Sequence, residues 1–136
     1  MKRQVRVFGT SSRRLRSLLA AAARAAGPLK GPVEIHLVTD NAIRRVNRDR
    51  LGHDWATDVC TFPMEERFLW GELVVSVQTA KREARERGIS FERELALYVV
   101  HGVLHLRGHD DRTDAGRNRM RTAETRCLAK LFKPMA

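Results

Sequence analysis

The stretch from His101 to Asp111, HGVLHLRGHDD, crowds three histidines and two aspartates into eleven residues. On a helix, residues four apart project from the same face one turn from each other. His101 and His105 can therefore aim ring nitrogens at one ion, at about 2.0–2.1 Å for zinc. Gly108 follows where the left-handed end of such a helix would need it. The chain then turns back, and Asp111, His109 or Asp110 can supply a third ligand. Three protein ligands leave a fourth position for water, as in catalytic zinc sites. Nitrogen and oxygen donors favour zinc over softer or harder ions. A pair of histidines with one aspartate leaves the centre less positive than a trio of histidines would.

Gly102 occupies the place where a zinc peptidase helix carries its Glu. The general base of that chemistry is missing, which argues against a peptidase and leaves room near the metal for a bulkier substrate. His36 and His53 fit no ligand spacing and read as ordinary strand and loop residues.

The elements that must position this stretch are legible as periodicity. Residues 2–8 alternate as a strand, and Ser11 or Ser12 can cap a helix with Leu15, Leu18, Leu19 and Ala22 on its apolar face. Residues 33–38 (VEIHLV) form a second strand, followed by a short helix with Ile43 and Val46 that Thr39 or Asp40 caps. Residues 47–57 read as a polar loop. Strands are expected at 58–62 and 71–77, separated by Pro63 and a charged turn, then a helix from 78 to 87 ended by Gly88. Ser90 caps the next helix, whose 95–100 segment (LALYVV) is apolar all round and should cross the core. A last helix spans about 114–131, with Met120, Ala123, Cys127, Leu128 and Leu131 buried. The order β-α-β-α-β-β-α-α-α implies an α+β fold: a small mixed sheet packed against helices, with a central buried helix carrying the HGxxH motif. Residues 1–136 read as one domain, a length able to bury a core without staples.

Charge adds a partner class. The net charge is +10, but residues 1–30 hold eight Lys/Arg and no acid, and residues 112–136 hold seven against Asp114 and Glu124. The middle, 31–111, is net acidic, with fourteen acids against eleven bases. Of the 26 basic residues 21 are Arg, whose planar fork suits phosphate, so a polyanion such as RNA is the natural partner. Trp55, Phe62 and Trp70 are the candidate base-stacking residues, with core packing the better role for Phe62. Asp58 and Glu72 begin strands expected to flank the site, as bases or as hydrogen-bond acceptors. Arg112, Arg117, Arg119 and Arg121 could track a phosphate backbone or form a solvated face. Cys60 and Cys127 form no motif and read as reduced thiols. No apolar run reaches the ~20 residues of a membrane span. The Arg-rich segment RRLRSLLAAAARAAGP reads as the first helix rather than a transit peptide, and the protein as cytoplasmic.

With these residues in view, the chain resembles the YbeY family of bacterial rRNA maturation endoribonucleases. The family signature His-Gly-x-x-His-x-x-Gly-Tyr/His-Asp-His is matched by HGVLHLRGHDD at all but its last position. TDVCTFP at 57–63 resembles the family's PTDVLSFP, GELVVSV at 71–77 its GDIVIS, and VNRDRLGHD its LNxxYRxxD loop at Asn47 and Asp54. The resemblance covers roughly residues 33–130. It implies a zinc-dependent, single-strand-specific endoribonuclease that matures the 3′ end of small-subunit rRNA and serves ribosome quality control, with ribosomal or small-subunit proteins as partners. It implies one zinc per chain at His101, His105 and Asp111, and His105 and Arg50 as catalytic residues. Asp111 replaces the family's third histidine, unless His109 takes over. Leu51 stands where the family carries an Arg, and Arg50 beside it is the stand-in. The rival reading is a non-enzymatic ribosome-assembly factor with a structural zinc and basic RNA-binding helices.

Overall fold

The structure is a computed structural model describing residues 4–66 and 69–132. Its elements follow the expected order: β1 (Val5–Phe8), α1 (Arg13–Ala25), β2 (Val33–Val38), α2 (Asp40–Leu51), β3 (Val59–Glu66), β4 (Leu69–Ser76), α3 (Val77–Arg87), α4 (Phe91–Leu106) and α5 (Asp114–Leu131). Residues 2 and 3 of the expected first strand lie outside the described residues. The sheet order is β1-β2-β4-β3. The first three of these run parallel, and β3 pairs antiparallel with β4 along one edge. This is the expected α+β fold with a mixed sheet.

Alternation assigns the two sheet faces. Val5, Val33, Ile35, Leu37, Leu73 and Val75 join the main core with Leu19 and Ala22 of α1, Leu95, Val99 and Val103 of α4, and Met120 and Leu128 of α5. Their alternates point the other way, where α2 covers part of the sheet through a smaller cluster of Ile43, Cys60, Phe62 and Val74. Burying one such aliphatic side chain stabilises by about 1.5–3 kcal/mol, so the apolar all-round sequence of α4 holds it between sheet and outer helices. Phe62 is in the core, as expected.

Caps set the helix starts. Ser12, Thr39, Ser76, Ser90 and Thr113 each accept a backbone N–H from their own first turn. Two boundaries differ from the sequence reading. Residues 47–51 are helical, not loop, because nothing in NRDRL breaks the helix before Gly52, whose φ of 76° closes it; basic Arg48 and Arg50 suit that last turn. Pro63 does not separate the strands but lies within β3, opposite Gly71, beside a register irregularity. An edge strand tolerates a residue with no N–H to donate. No helix among the described residues is long and apolar enough to cross a membrane.

Candidate metal centre

α4 ends in a Schellman motif directly after the histidine pair. The amide of Gly108 donates to the carbonyl of His105 and that of His109 to Leu104, both at 3.0 Å, and Gly108 has φ 98°. These two bonds satisfy the last helical carbonyls and reverse the chain, so that Asp111 returns to His101. The Asp111 Oδ2 lies 3.7 Å from His101 Nε2. The rings of His101 and His105 are near-parallel, with an interplanar angle of 10° and centroids 6.2 Å apart.

The other ring nitrogen of His101 is engaged from α5. Nδ1 lies 2.5 Å from Oε2 of Glu124. A carboxylate only accepts, so Nδ1 carries the proton, and in the neutral ring Nε2 presents its lone pair. This hydrogen bond is the main reason the His101 imidazole is raised above its ordinary value; partial burial opposes it, while the charges of Glu124, Asp58 and Asp111 add to it. A histidine fixed by an outer carboxylate is the usual metal-ligating arrangement. Two ligands about 2.0–2.2 Å from a tetrahedral ion stand about 3.3–3.6 Å apart, close to the separation of Nε2 and Asp111 Oδ2. His101 and Asp111 therefore stand as two ligands of one zinc ion would, whereas the ligand atoms of His101, His105 and Asp111 do not all lie within 4.8 Å of one another.

Of the alternative third ligands, Asp110 is engaged by Arg112. It accepts from the backbone N–H and the Nε of Arg112 at 2.8 and 3.1 Å, and this pairing holds its carboxyl below the usual range. His109 contributes its backbone to the cap. Both line the open cavity beside His105 together with Asp111 and Arg112.

Gly102 serves packing, not substrate room. A Cβ there would meet Leu73 Cδ2 at 2.7 Å and Thr61 Oγ1 at 3.2 Å, so the glycine lets α4 approach the sheet. The expectation of space for a bulky substrate at this position is corrected accordingly. Asp58 and Glu72 also part company. Asp58 accepts from the Val59 N–H at 2.7 Å and acts electrostatically on His101. Glu72, next in the strand to core residue Leu73, points to the sheet face away from α4. There it accepts from Arg50 Nη1 at 2.7 Å, while the Arg50 guanidinium carbon sits 3.6 Å over the Phe62 ring. The fold thus brings Asp111 to His101, leaves His105 one turn further along α4 and holds Arg50 apart from them.

The loop after α2 is tied down by side chains. Asn47, 3% exposed, donates through Nδ2 to the Trp55 carbonyl at 2.9 Å, and Arg44 pairs with Asp54. Trp55 is 57% exposed and stacks on His53 at a 4.6 Å centroid distance. Trp70 is half-buried against the core. Arg112 and Arg117 pair with Asp110 and Asp114.

Sequence reasoning missed Glu124, which lies on a helix without a motif of its own. It also missed Glu34 and His36, which together with Glu72 bring ligand atoms within 4.8 Å of one another. Polar residues at i and i+2 inside an otherwise apolar strand were the available signal.

A family model described as Endoribonuclease YbeY matches residues 4–132. The chain belongs to the YbeY family. A YbeY endoribonuclease of Rhodopirellula baltica is 42% identical over 119 residues, covering 85% of this chain and 61% of that protein. One from Helicobacter pylori is 42% identical over 102 residues, covering 74% and 71%. The chain therefore spans less than two thirds of the Rhodopirellula relative. The solution structure of TM1509 from Thermotoga maritima superposes with a TM-score of 0.66 at 28% identity, covering 93% of this chain and 88% of the other. The YbeY membership extends across the described sheet and all five helices.

Proposed function

We propose that this YbeY-family protein is a zinc-dependent endoribonuclease acting on single-stranded RNA. Within that reading it matures the 3′ end of small-subunit rRNA and serves ribosome quality control in the cytoplasm, alongside ribosomal or small-subunit proteins. The observation that carries the reading is the Glu124–His101 pair, which leaves His101 Nε2 facing Asp111. His101, His105 and Asp111 hold one ion at this centre. Zinc, when bound, supplies Lewis acidity toward a phosphodiester.

The protein's own groups do the rest. Glu124 keeps the His101 tautomer and ring orientation. The Gly108 turn fixes where Asp111 returns. Asp58 contributes negative charge beside His101, which favours a cation there. His105, exposed at the open cavity, is the ligand nearest to solvent and to an incoming strand. Arg50, paired with Glu72 on the other sheet face, stands outside this centre and meets the RNA only as one of the basic groups along the strand's path. The exposed arginines of α1 and α5 supply the salt-dependent attraction to the RNA backbone.

The test is cleavage of a labelled single-stranded RNA by zinc-loaded protein, beside its duplex. Cleavage of the single strand only, abolished by chelation and in His105→Ala, is the expected result. Cleavage that persists in both conditions overturns the reading. Absence of cleavage, with chelation lowering the melting temperature while RNA affinity at fixed salt is unchanged, assigns the zinc a structural role in an RNA-binding assembly factor.

A further inference from the structure

The sheet face turned away from α4 carries a second constellation. Strand register lines up two rows across it. The first is Arg6–Glu34–Glu72–Phe62, and the second is Phe8–His36–Val74–Cys60. Glu34 and Glu72 are thus direct neighbours on adjacent strands, a like-charge pairing that Arg6 and Arg50 offset from outside. Each carboxylate divides its oxygens in the same manner. Glu34 turns Oε2 to Arg6 at 3.2 Å and Oε1 to His36 Nε2 at 3.3 Å. Glu72 turns Oε1 to Arg50 at 2.7 Å and Oε2 to the same Nε2 at 3.7 Å. The inner oxygens and Nε2 therefore converge, while arginines anchor the outer oxygens. Phe8 stacks on the His36 ring at 4.9 Å and 14°, fixing its plane. All three side chains are partly shielded, at 20%, 33% and 20% exposure.

We infer that Glu34, His36 and Glu72 form a second divalent-cation site, separated from the α4 histidines by the sheet. Several geometric features support this. The donors come from residues i and i+2 of one strand and the facing residue of its neighbour, which places three ligands on one face of a sheet. Their separations of 3.3 and 3.7 Å from Nε2 match those of ligands sharing one ion at about 2.0–2.2 Å. The carboxylates are held from outside, as metal-ligating carboxylates generally are. Two carboxylates and an imidazole suit a borderline ion such as Zn2+, with open positions left for water. Arg50, bound to Glu72, belongs to the outer shell of this site.

The same geometry would also serve an imidazole N–H shared between two carboxylates, and metal counting separates the two. Native mass spectrometry and isothermal titration with Zn2+ alone are run on the full chain, on Glu34→Gln, Glu72→Gln and His36→Ala, and on His101→Ala/His105→Ala. The expected result is two ions in the wild type. One is lost, or its affinity falls at least tenfold, in each strand variant, and the other is lost in the α4 variant. Retention of the wild-type count and affinity in all three strand variants, folded by circular dichroism, overturns the inference. A wild type holding one ion that disappears only in the strand variants upholds it while removing the α4 site. One ion lost only in the α4 variant does the reverse. Glu→Gln is nearly isosteric, so a folding defect in His36→Ala leaves the other two variants to decide.

Discussion

Glu124 of α5 holds Nδ1 of His101 at 2.5 Å, and this contact aims Nε2 of the same ring at Asp111. The two residues are 23 positions apart, and the pair sits half-buried between helices, where a charge-assisted hydrogen bond is short and strong. It is the relationship on which the candidate centre depends, because it sets both tautomer and direction.

Glu124→Gln should therefore lower zinc affinity by about 10–100-fold with little change in the circular dichroism spectrum. Competition against a chromophoric chelator measures it. An affinity within twofold of wild type would remove Glu124 from the centre.

Asp111 and His109 can be separated in the same way. Asp111→Ala should lose the zinc lost by His101→Ala/His105→Ala, whereas His109→Ala should keep it, because Asp111 stands 3.7 Å from Nε2 of His101 while the His109 backbone is engaged in the helix cap. Elemental analysis of the purified variants decides between them. The opposite pattern would make His109 the third ligand.

Asp40 ties the start of α2 to α3. Its carboxylate accepts from Ser76 Oγ at 2.6 Å, Thr79 Oγ1 at 2.9 Å and Arg82 Nη1 at 2.7 Å. The Arg82 and Ser76 hydrogen bonds hold its carboxyl below the ordinary value of 3.8. A depressed carboxyl contributes stability above its unfolded value, and that contribution is lost as pH falls through the lower folded value. Asp40→Asn should cost about 1.5–3 kcal/mol at neutral pH, with the gap to wild type closing once pH drops below 3.8. Urea unfolding as a function of pH tests this, and a gap that stays constant into strong acid would contradict it.

Gly102→Ala should destabilise by about 1–3 kcal/mol through overpacking, since its Cβ would press on Leu73 and Thr61. Adding Leu73→Ala should show favourable coupling of at least ~0.5 kcal/mol in a double-mutant cycle. Additive losses would show that the glycine answers to something other than this contact.

Much of the fold could be read before the structure. Serine and threonine caps, together with the helical period, located the helix starts to within a residue or so, and the nine elements appear in the expected order. The errors lie where a local signal was absent. NRDRL reads as polar loop, yet a solvated helical turn needs no apolar residue on its outer face. Pro63 reads as a break, yet an edge strand can absorb it, and edge position is a property of the sheet.

The site divides along the same line. Helical spacing determined that His101 and His105 share a face, and Gly108 that the chain must turn back after them. Both follow from backbone geometry within a few residues. Partners further along the chain depend on packing. The docking of α5 on α4 brings Glu124 to His101, and strand register places Glu34 beside Glu72 with His36 between them. The alternation of β4 sends Glu72, and Arg50 with it, to the face opposite the histidines. Helical spacing is local, so it shows which residues along one helix share a face and can ligate together. Which distant carboxylates orient them, and on which side of the sheet each charge lies, depends on contacts between elements rather than on the period within one.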